Sequence, residues 1–150
     1  MVIVTSALLP VAGSKYARRV TVSSLLALAA DRYVLLTTYR RSGAPVGTAV
    51  WVVRSGDELL VTTGGLSGKV KRLRADPRVQ LVACDIRGAV AHGAVPVPAL
   101  AEVTTDPEVR ARLEAALEEK YGDRYREIRA AGRQRVPGGD SVALVIRAVP

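Results

Sequence analysis

The 150-residue chain contains no phenylalanine and only one tryptophan, one histidine and one cysteine. The lone Cys84 excludes an intramolecular disulfide and suits a reducing, cytoplasmic setting. One histidine with one cysteine is too small a ligand set for a zinc site, and we assign no metal. Acidic residues are also short, 14 Asp and Glu against 22 Lys and Arg, which leaves a net charge of +8. No helix-turn-helix, zinc finger or aromatic RNA-binding signature accompanies that charge, so nucleic acid is set aside as a partner. The apolar opening, residues 1–14, is too short to cross a bilayer. Its basic neighbours Lys15, Arg18 and Arg19 follow it, the wrong order for a secretory signal. We therefore expect no membrane partner. Residues 1–20 read as an N-terminal arm, placed to lie against a partner subunit.

What the chain does have is enough apolar matter for one domain, residues 21–150. Hydrophobic residues make up 49% of the chain, and its length suits a single core. Ser23 to Asp31 reads as a short capped helix. Tyr33–Tyr39 (YVLLTTY), Val46–Arg54 and Glu58–Thr63 are rich in β-formers and separated by the turns Arg41–Pro45 and Ser55–Asp57. They predict an antiparallel meander of three strands. A basic helix follows from Ser67, its stripe made by Val70 and Leu73, with Leu66 a candidate to extend it, and its end set by Asp76-Pro77. Val79–Cys84 and Val97–Thr104 read as further strands. Thr105-Asp106-Pro107-Glu108 supplies a cap and a first-turn proline for a helix bearing Val109, Leu113 and Leu117 on one face. A second helical stretch spans Asp123 to Ala131. After the turn Pro137–Asp140, Val142–Val149 closes the fold.

The charge is most telling at Ser67-Gly68-Lys69. A helix N-terminus carries unpaired N–H groups and a partial positive charge, so it favours anions. Lys69 and Lys71 in the first turn oppose that dipole, at a cost of a few tenths of a kcal/mol per charge, roughly. An anion docked there removes the conflict, accepting from the backbone, the Ser67 hydroxyl and the Lys69 ammonium. Gly64, Gly65 and Gly68 leave the backbone approachable. Five cations (Lys69, Lys71, Arg72, Arg74, Arg78) stand against Asp76 alone. A solvated basic helix with a serine cap is the competing reading.

The stretch from Tyr33 to Gly88 resembles the pyridoxamine-phosphate-oxidase-like, flavin-binding split-barrel superfamily, and within it the actinobacterial branch that uses the deazaflavin coenzyme F420. The resemblance is carried by Tyr33–Tyr39, Gly43-Ala44-Pro45 and Thr48-Ala49-Val50-Trp51. It continues through Thr62-Thr63, Ser67–Leu73, Asp76–Val79 and Cys84–Gly88. It implies a mainly β fold with peripheral helices, a Greek-key-like antiparallel split barrel. It further implies that Thr48, Ala49, Val50 and Trp51 border a tricyclic ring, while Thr62, Thr63, Ser67, Gly68 and Lys69 hold a phosphate. Lys71 and Arg72 become candidates for the phosphate or for the acidic oligoglutamate tail of the deazaflavin. Members are usually homodimers, so Arg87 is placed to reach the neighbouring subunit's cofactor. The expected chemistry is hydride transfer between the cofactor and an unsaturated small molecule, with orientation and electrostatics supplied by the protein. FMN is the alternative cofactor, and a flavin-, deazaflavin- or haem-binding protein without turnover is the alternative role.

No catalytic side chain is assigned, because solvent can deliver the proton. His92 reads as a loop histidine, Cys84 as a buried structural thiol and Glu118-Glu119 as helix surface. The arginines from Arg124 to Arg135 read as a solvated face. Ala89 to Ala101, an unusually apolar stretch, departs from the family pattern, and substrate preference is expected there.

Overall fold

The computed structural model describes residues 22–135 and 141–150. The expected arm and the Pro137–Asp140 turn lie outside the described residues. Residues 22–27 form helix α1, which tightens into a 3-10 turn at Leu28–Ala30. Then come β1 (Tyr33–Tyr39), β2 (Pro45–Val50), β3 (Val53–Ser55), β4 (Glu58–Gly64), α2 (Gly68–Ala75), β5 (Arg78–Cys84) and β6 (Val97–Thr104). The chain continues through α3 (Pro107–Tyr121), α4 (Asp123–Arg135) and β7 (Ser141–Ala148). Among the described residues no helix is long and apolar enough to cross a membrane.

All seven strands belong to one antiparallel sheet in the order β2-β1-β5-β6-β7-β4-β3. Strands β2 and β3 are its two edges, yet only Trp51 and Val52 separate them in the chain. Six flat inter-strand spacings would put those edges roughly 29 Å apart. The link from Val50 to Val53 spans at most about 11 Å. The sheet must therefore curl until its edges nearly meet, and the chain itself bridges the gap that hydrogen bonds leave open. This is a split β-barrel.

That geometry corrects two expectations. The run Val46–Arg54 is not one strand, because it breaks at Trp51-Val52 and changes edge. The three-strand meander is likewise absent: β1 pairs with β2, and β3 with β4, at opposite sides of the sheet. Apolar β-formers continue without a turn residue across the break, so local pattern gives no sign of it.

Two cores follow from strand alternation. Inside the barrel, Val34, Leu36, Val50, Leu59, Val61, Leu81, Leu144 and Ile146 pack with Leu25 and Leu28 of α1 and its 3-10 turn and with Leu73 of α2. Outside, Leu113, Leu117 and Tyr121 of α3 cover Val53, Leu60, Ala143 and Val145. Strand β7 lies between the two, which is why Val142 to Ile146 is buried without interruption. Helix α3 starts as its sequence indicates, with Asp106 accepting from the Glu108 amide at 3.0 Å and Pro107 in the first turn.

The break at Trp51-Val52 would strand backbone groups between two sheet edges. The end of α3 satisfies those of Val52. The Val52 amide donates to the Tyr121 hydroxyl at 3.2 Å, and the Val52 carbonyl accepts from Lys120 Nζ at 2.6 Å. Lys120 also donates to the carbonyls of Ala29 (2.8 Å) and Asp31 (2.7 Å), and Tyr121 donates to that of Arg32 (2.7 Å). The Trp51 indole stacks on the Tyr121 ring, with centroids 4.2 Å apart and planes 9° from parallel.

Candidate functional site

Ser67 is the N-cap of α2, its Oγ accepting from the Val70 amide at 3.4 Å. The same Oγ lies 3.3 Å from the hydroxyl of Thr63 at the end of β4. Thr62 and Thr63 part company here. Alternation sends Thr63 to the side of Leu59 and Val61, toward the turn, and Thr62 to the side of Leu60 under α3. As the opening residues of the helix, Gly68 and Lys69 have amides with no intrahelical acceptor.

Arg72 lies one turn further on and folds back toward that end. Its Nε donates to the hydroxyl of Thr38 on β1 at 2.7 Å, and a Cβ built on Gly68 would lie 2.8 Å from Nη1. Thr38 is fully buried, the one polar residue so placed among those described. Lys69 is half-buried beside Arg72. Loss of water, and then the Arg72 charge, hold its ammonium below the ordinary lysine range. No carboxylate pairs with Lys69 or Arg72 in the ion pairs among the described residues. Two hydroxyls, an ammonium, a guanidinium and free helix amides form a donor set without an acceptor of full charge. That set fits the anionic phosphate of a phosphate ester.

The other expected residues fall in several places. Thr48 faces inward opposite Leu36, diagonal to Thr38 across the β1–β2 ladder, and so shares the face that leads to Arg72. Val50 is buried in the barrel core opposite Val34. Ala49 turns to the opposite face with Leu35, and Trp51 lies under α3 on Tyr121. The four residues from Thr48 to Trp51 thus present no common surface. Lys71 is exposed. Arg78 is occupied by Asp76, which accepts from its backbone amide and its guanidinium, and it lies over the Tyr39 ring. Of the five cations of the basic segment, only Lys69 and Arg72 converge on the helix start.

Arg87 sits in the loop after β5, where Asp85 accepts from the amides of Arg87 and Ala89. Cys84 at the end of β5 pairs with Tyr33, five residues along β1 from Thr38. That is roughly 16 Å of strand, so Arg87 and Arg72 belong to opposite ends of the sheet. His92 is exposed in the same loop, and among the described residues no three His, Cys, Asp or Glu side chains gather as metal ligands. Sequence reasoning missed Thr38. It reads as one more β-former in YVLLTTY, and only an arginine 34 positions away gives it a role.

Comparison with known proteins agrees with this architecture. A conserved hypothetical protein from Mycobacterium tuberculosis superposes with a TM-score of 0.61 at 24% identity, over 91% of this chain and 81% of that one. The haem storage protein from Vibrio cholerae gives 0.59 at 14% identity, covering 91% and 90%. An F420 reductase gives 0.55 at 22%, covering 83% and 92%. No curated protein matches the sequence. The sequence model of the pyridoxamine 5'-phosphate oxidase family, however, matches residues 25–149, from the inner face of α1 through β7. By that match and by its split barrel, the chain belongs to the pyridoxamine 5'-phosphate oxidase family.

Proposed function

We propose that this chain is an oxidoreductase that holds the phosphate of a flavin-type cofactor at the start of α2, with coenzyme F420 as the cofactor and FMN as the alternative. The observation that carries the reading is the half-buried Lys69–Arg72 pair, set at a serine-capped helix start with no carboxylate partner among the described residues. Two cations held together with part of their water removed repel, and the repulsion is relieved when an anion binds. Ser67, Thr63 and Lys69 bind that anion, with the amides of Gly68 and Lys69. Thr48, on the face shared with Thr38, borders the ring side of the site. Lys71, exposed on the same helix, is placed for the acidic tail that F420 carries and FMN lacks.

When bound and reduced, such a cofactor supplies a hydride to an unsaturated small molecule. The residues of this chain anchor and orient it, and none of them is assigned a covalent step. The resemblance to an F420 reductase supports this choice of cofactor, and the likeness to a haem storage protein makes haem the rival ligand. We further propose a homodimer, with Arg87 of one copy reaching toward the site of the other. Leu35, Ala49 and Val82 share a sheet face that belongs to neither core, a surface suited to a second copy.

Fluorescence and absorbance titrations with F420, FMN and haem test the proposal. The expected result is tightest binding of F420, with Lys69→Ala weakening it about tenfold or more, the worth of one charge-assisted hydrogen bond. Tighter binding of FMN would transfer the assignment to the alternative, and tighter binding of haem would overturn it.

A further inference from the structure

Gly68 is a glycine in the first turn of a helix, and its backbone does not require one. Its φ is not among the positive values, which occur at Gly43, Gly56, Gly88, Gly93 and Gly122. Alanine would hold the helix better at such a position. What glycine provides is space: a Cβ there would meet Arg72 Nη1 at 2.8 Å. Thr38 makes a matching observation from the opposite side. Its hydroxyl, fully buried, accepts from Arg72 Nε at 2.7 Å. A guanidinium has five N–H donors in a rigid plane, so fixing Nε fixes the direction of the Nη groups as well. The side chain is thus pinned on its inner edge by Thr38 and admitted over the helix start by the bare α-carbon of Gly68.

We infer that Thr38 and Gly68 are positioning residues, which together hold the Arg72 guanidinium over the α2 N-terminus as a ligand for the cofactor's phosphate, not for its acidic tail. The inference rests on the anion site proposed above and assigns Arg72 within it. A tail ligand would gain nothing from being locked against the barrel, since a flexible chain of carboxylates is met equally well by an exposed side chain such as Lys71. A phosphate group has fixed oxygens, and a pre-aimed fork binds it without losing rotamer freedom at the moment of binding.

The test uses two pairs of probes, each pair differing at the phosphate. One is FMN against riboflavin. The other is F420 against its ring-and-ribityl fragment, which lacks phosphate and tail. The FMN-to-riboflavin affinity ratio isolates the phosphate, since neither molecule has a tail. Thr38→Val keeps the shape and removes the hydroxyl, Thr38→Ser keeps the hydroxyl, and Gly68→Ala adds the Cβ. The expected result is a fall of about tenfold in the ratio for Thr38→Val and Gly68→Ala, with wild-type discrimination in Thr38→Ser. Gly68→Ala should unfold no more easily than wild type, because Arg72 can swing aside, and so it separates positioning from folding. In an Arg72→Ala background Thr38→Val should cause no further loss. Unchanged ratios in both Thr38→Val and Gly68→Ala, in a wild type that does discriminate, would overturn the inference and leave the anion site standing. A wild type that distinguishes neither pair would overturn the anion site itself.

Discussion

At the scale of single residues, the site is an arrangement of charges that lack a counter-charge among the described residues. Lys69 opposes the α2 dipole, sits beside Arg72 and has lost part of its water, and burial is the larger of the two causes that lower its pKa. The unfolded chain has neither burden. Between the lowered pKa and the ordinary lysine value of about 10.4 it binds more protons than the native state, so the stability of the unliganded protein rises with pH there. A bound phosphate reverses the preference by favouring the ammonium. Affinity is therefore greatest below the Lys69 pKa and declines as pH rises through it. The expected outcome is an FMN-over-riboflavin selectivity that falls with pH before an ordinary lysine would deprotonate, while Lys69→Arg stays flat over the same range. Titration of the ring cancels in that ratio. A decline that persists in Lys69→Arg would assign it to another group. Residue identity alone announced Ser67, Gly68 and Lys69. It did not announce Thr38, nor that Gly68 makes room for a side chain of its own helix.

Among the elements, α3 has two tasks that its sequence shows unequally. Its apolar face, Val109, Leu113 and Leu117, is plain from helical spacing, as are its cap at Asp106 and the proline that follows. Its C-terminal pair Lys120-Tyr121 reads as ordinary helix ending, yet it holds the place where the barrel is split. Lys120 spends its three donors on the carbonyls of Ala29, Asp31 and Val52. Burial pushes its pKa down, while the nearby Asp31 carboxylate pulls the other way. Replacing Lys120 by methionine keeps the aliphatic stem and removes every donor from those acceptors. It should cost about 2 kcal/mol of stability. For a domain of this size that lowers Tm by roughly 6 °C, measurable by thermal denaturation. A Tm unchanged within a degree would show that water replaces the ammonium at no cost. Helix α4 differs: Arg126 pairs with Glu118 and Asp123, and Arg129 with Glu114, all at the surface. Such pairs contribute little to stability.

Taken as a whole, the molecule is a barrel with α3 packed on one outer flank and, on another, a sheet face around Leu35 that belongs to neither core. Gly47 and Gly88 both come close to Leu35 on that face, so the loop after β5 folds back across it. If the face meets a second copy, light scattering should give about 32 kDa, twice the 15.9 kDa chain. Leu35→Arg, which puts a charge at the centre of the patch, should return the monomer mass with an unchanged far-ultraviolet spectrum. A monomeric wild type would remove the proposed role of Arg87, which lies at the end of the sheet away from its own chain's Arg72. The excess of positive charge is partly dispersed over the molecule, since Arg78, Arg126 and Arg147 each have an acidic partner. Among the described residues, Lys69, Lys71, Arg72 and Arg74 of α2 are in none of the ion pairs.

By itself the sequence determined the strands and helices, the caps at Ser67 and Asp106, and a basic helix start suited to an anion. These depend on spacing and on neighbours within a few residues, where pattern and capping chemistry act directly. The split of Val46–Arg54 into two sheet edges was decided only by tertiary structure. So were the divergence of Thr62 from Thr63, the occupation of Arg78 by Asp76, and the link from Thr38 to Arg72. Each depends on which face a residue turns to, or on a partner brought near by the curling of the sheet. A break in a run of β-formers costs nothing locally when distant groups, here Lys120 and Tyr121, satisfy the backbone it exposes.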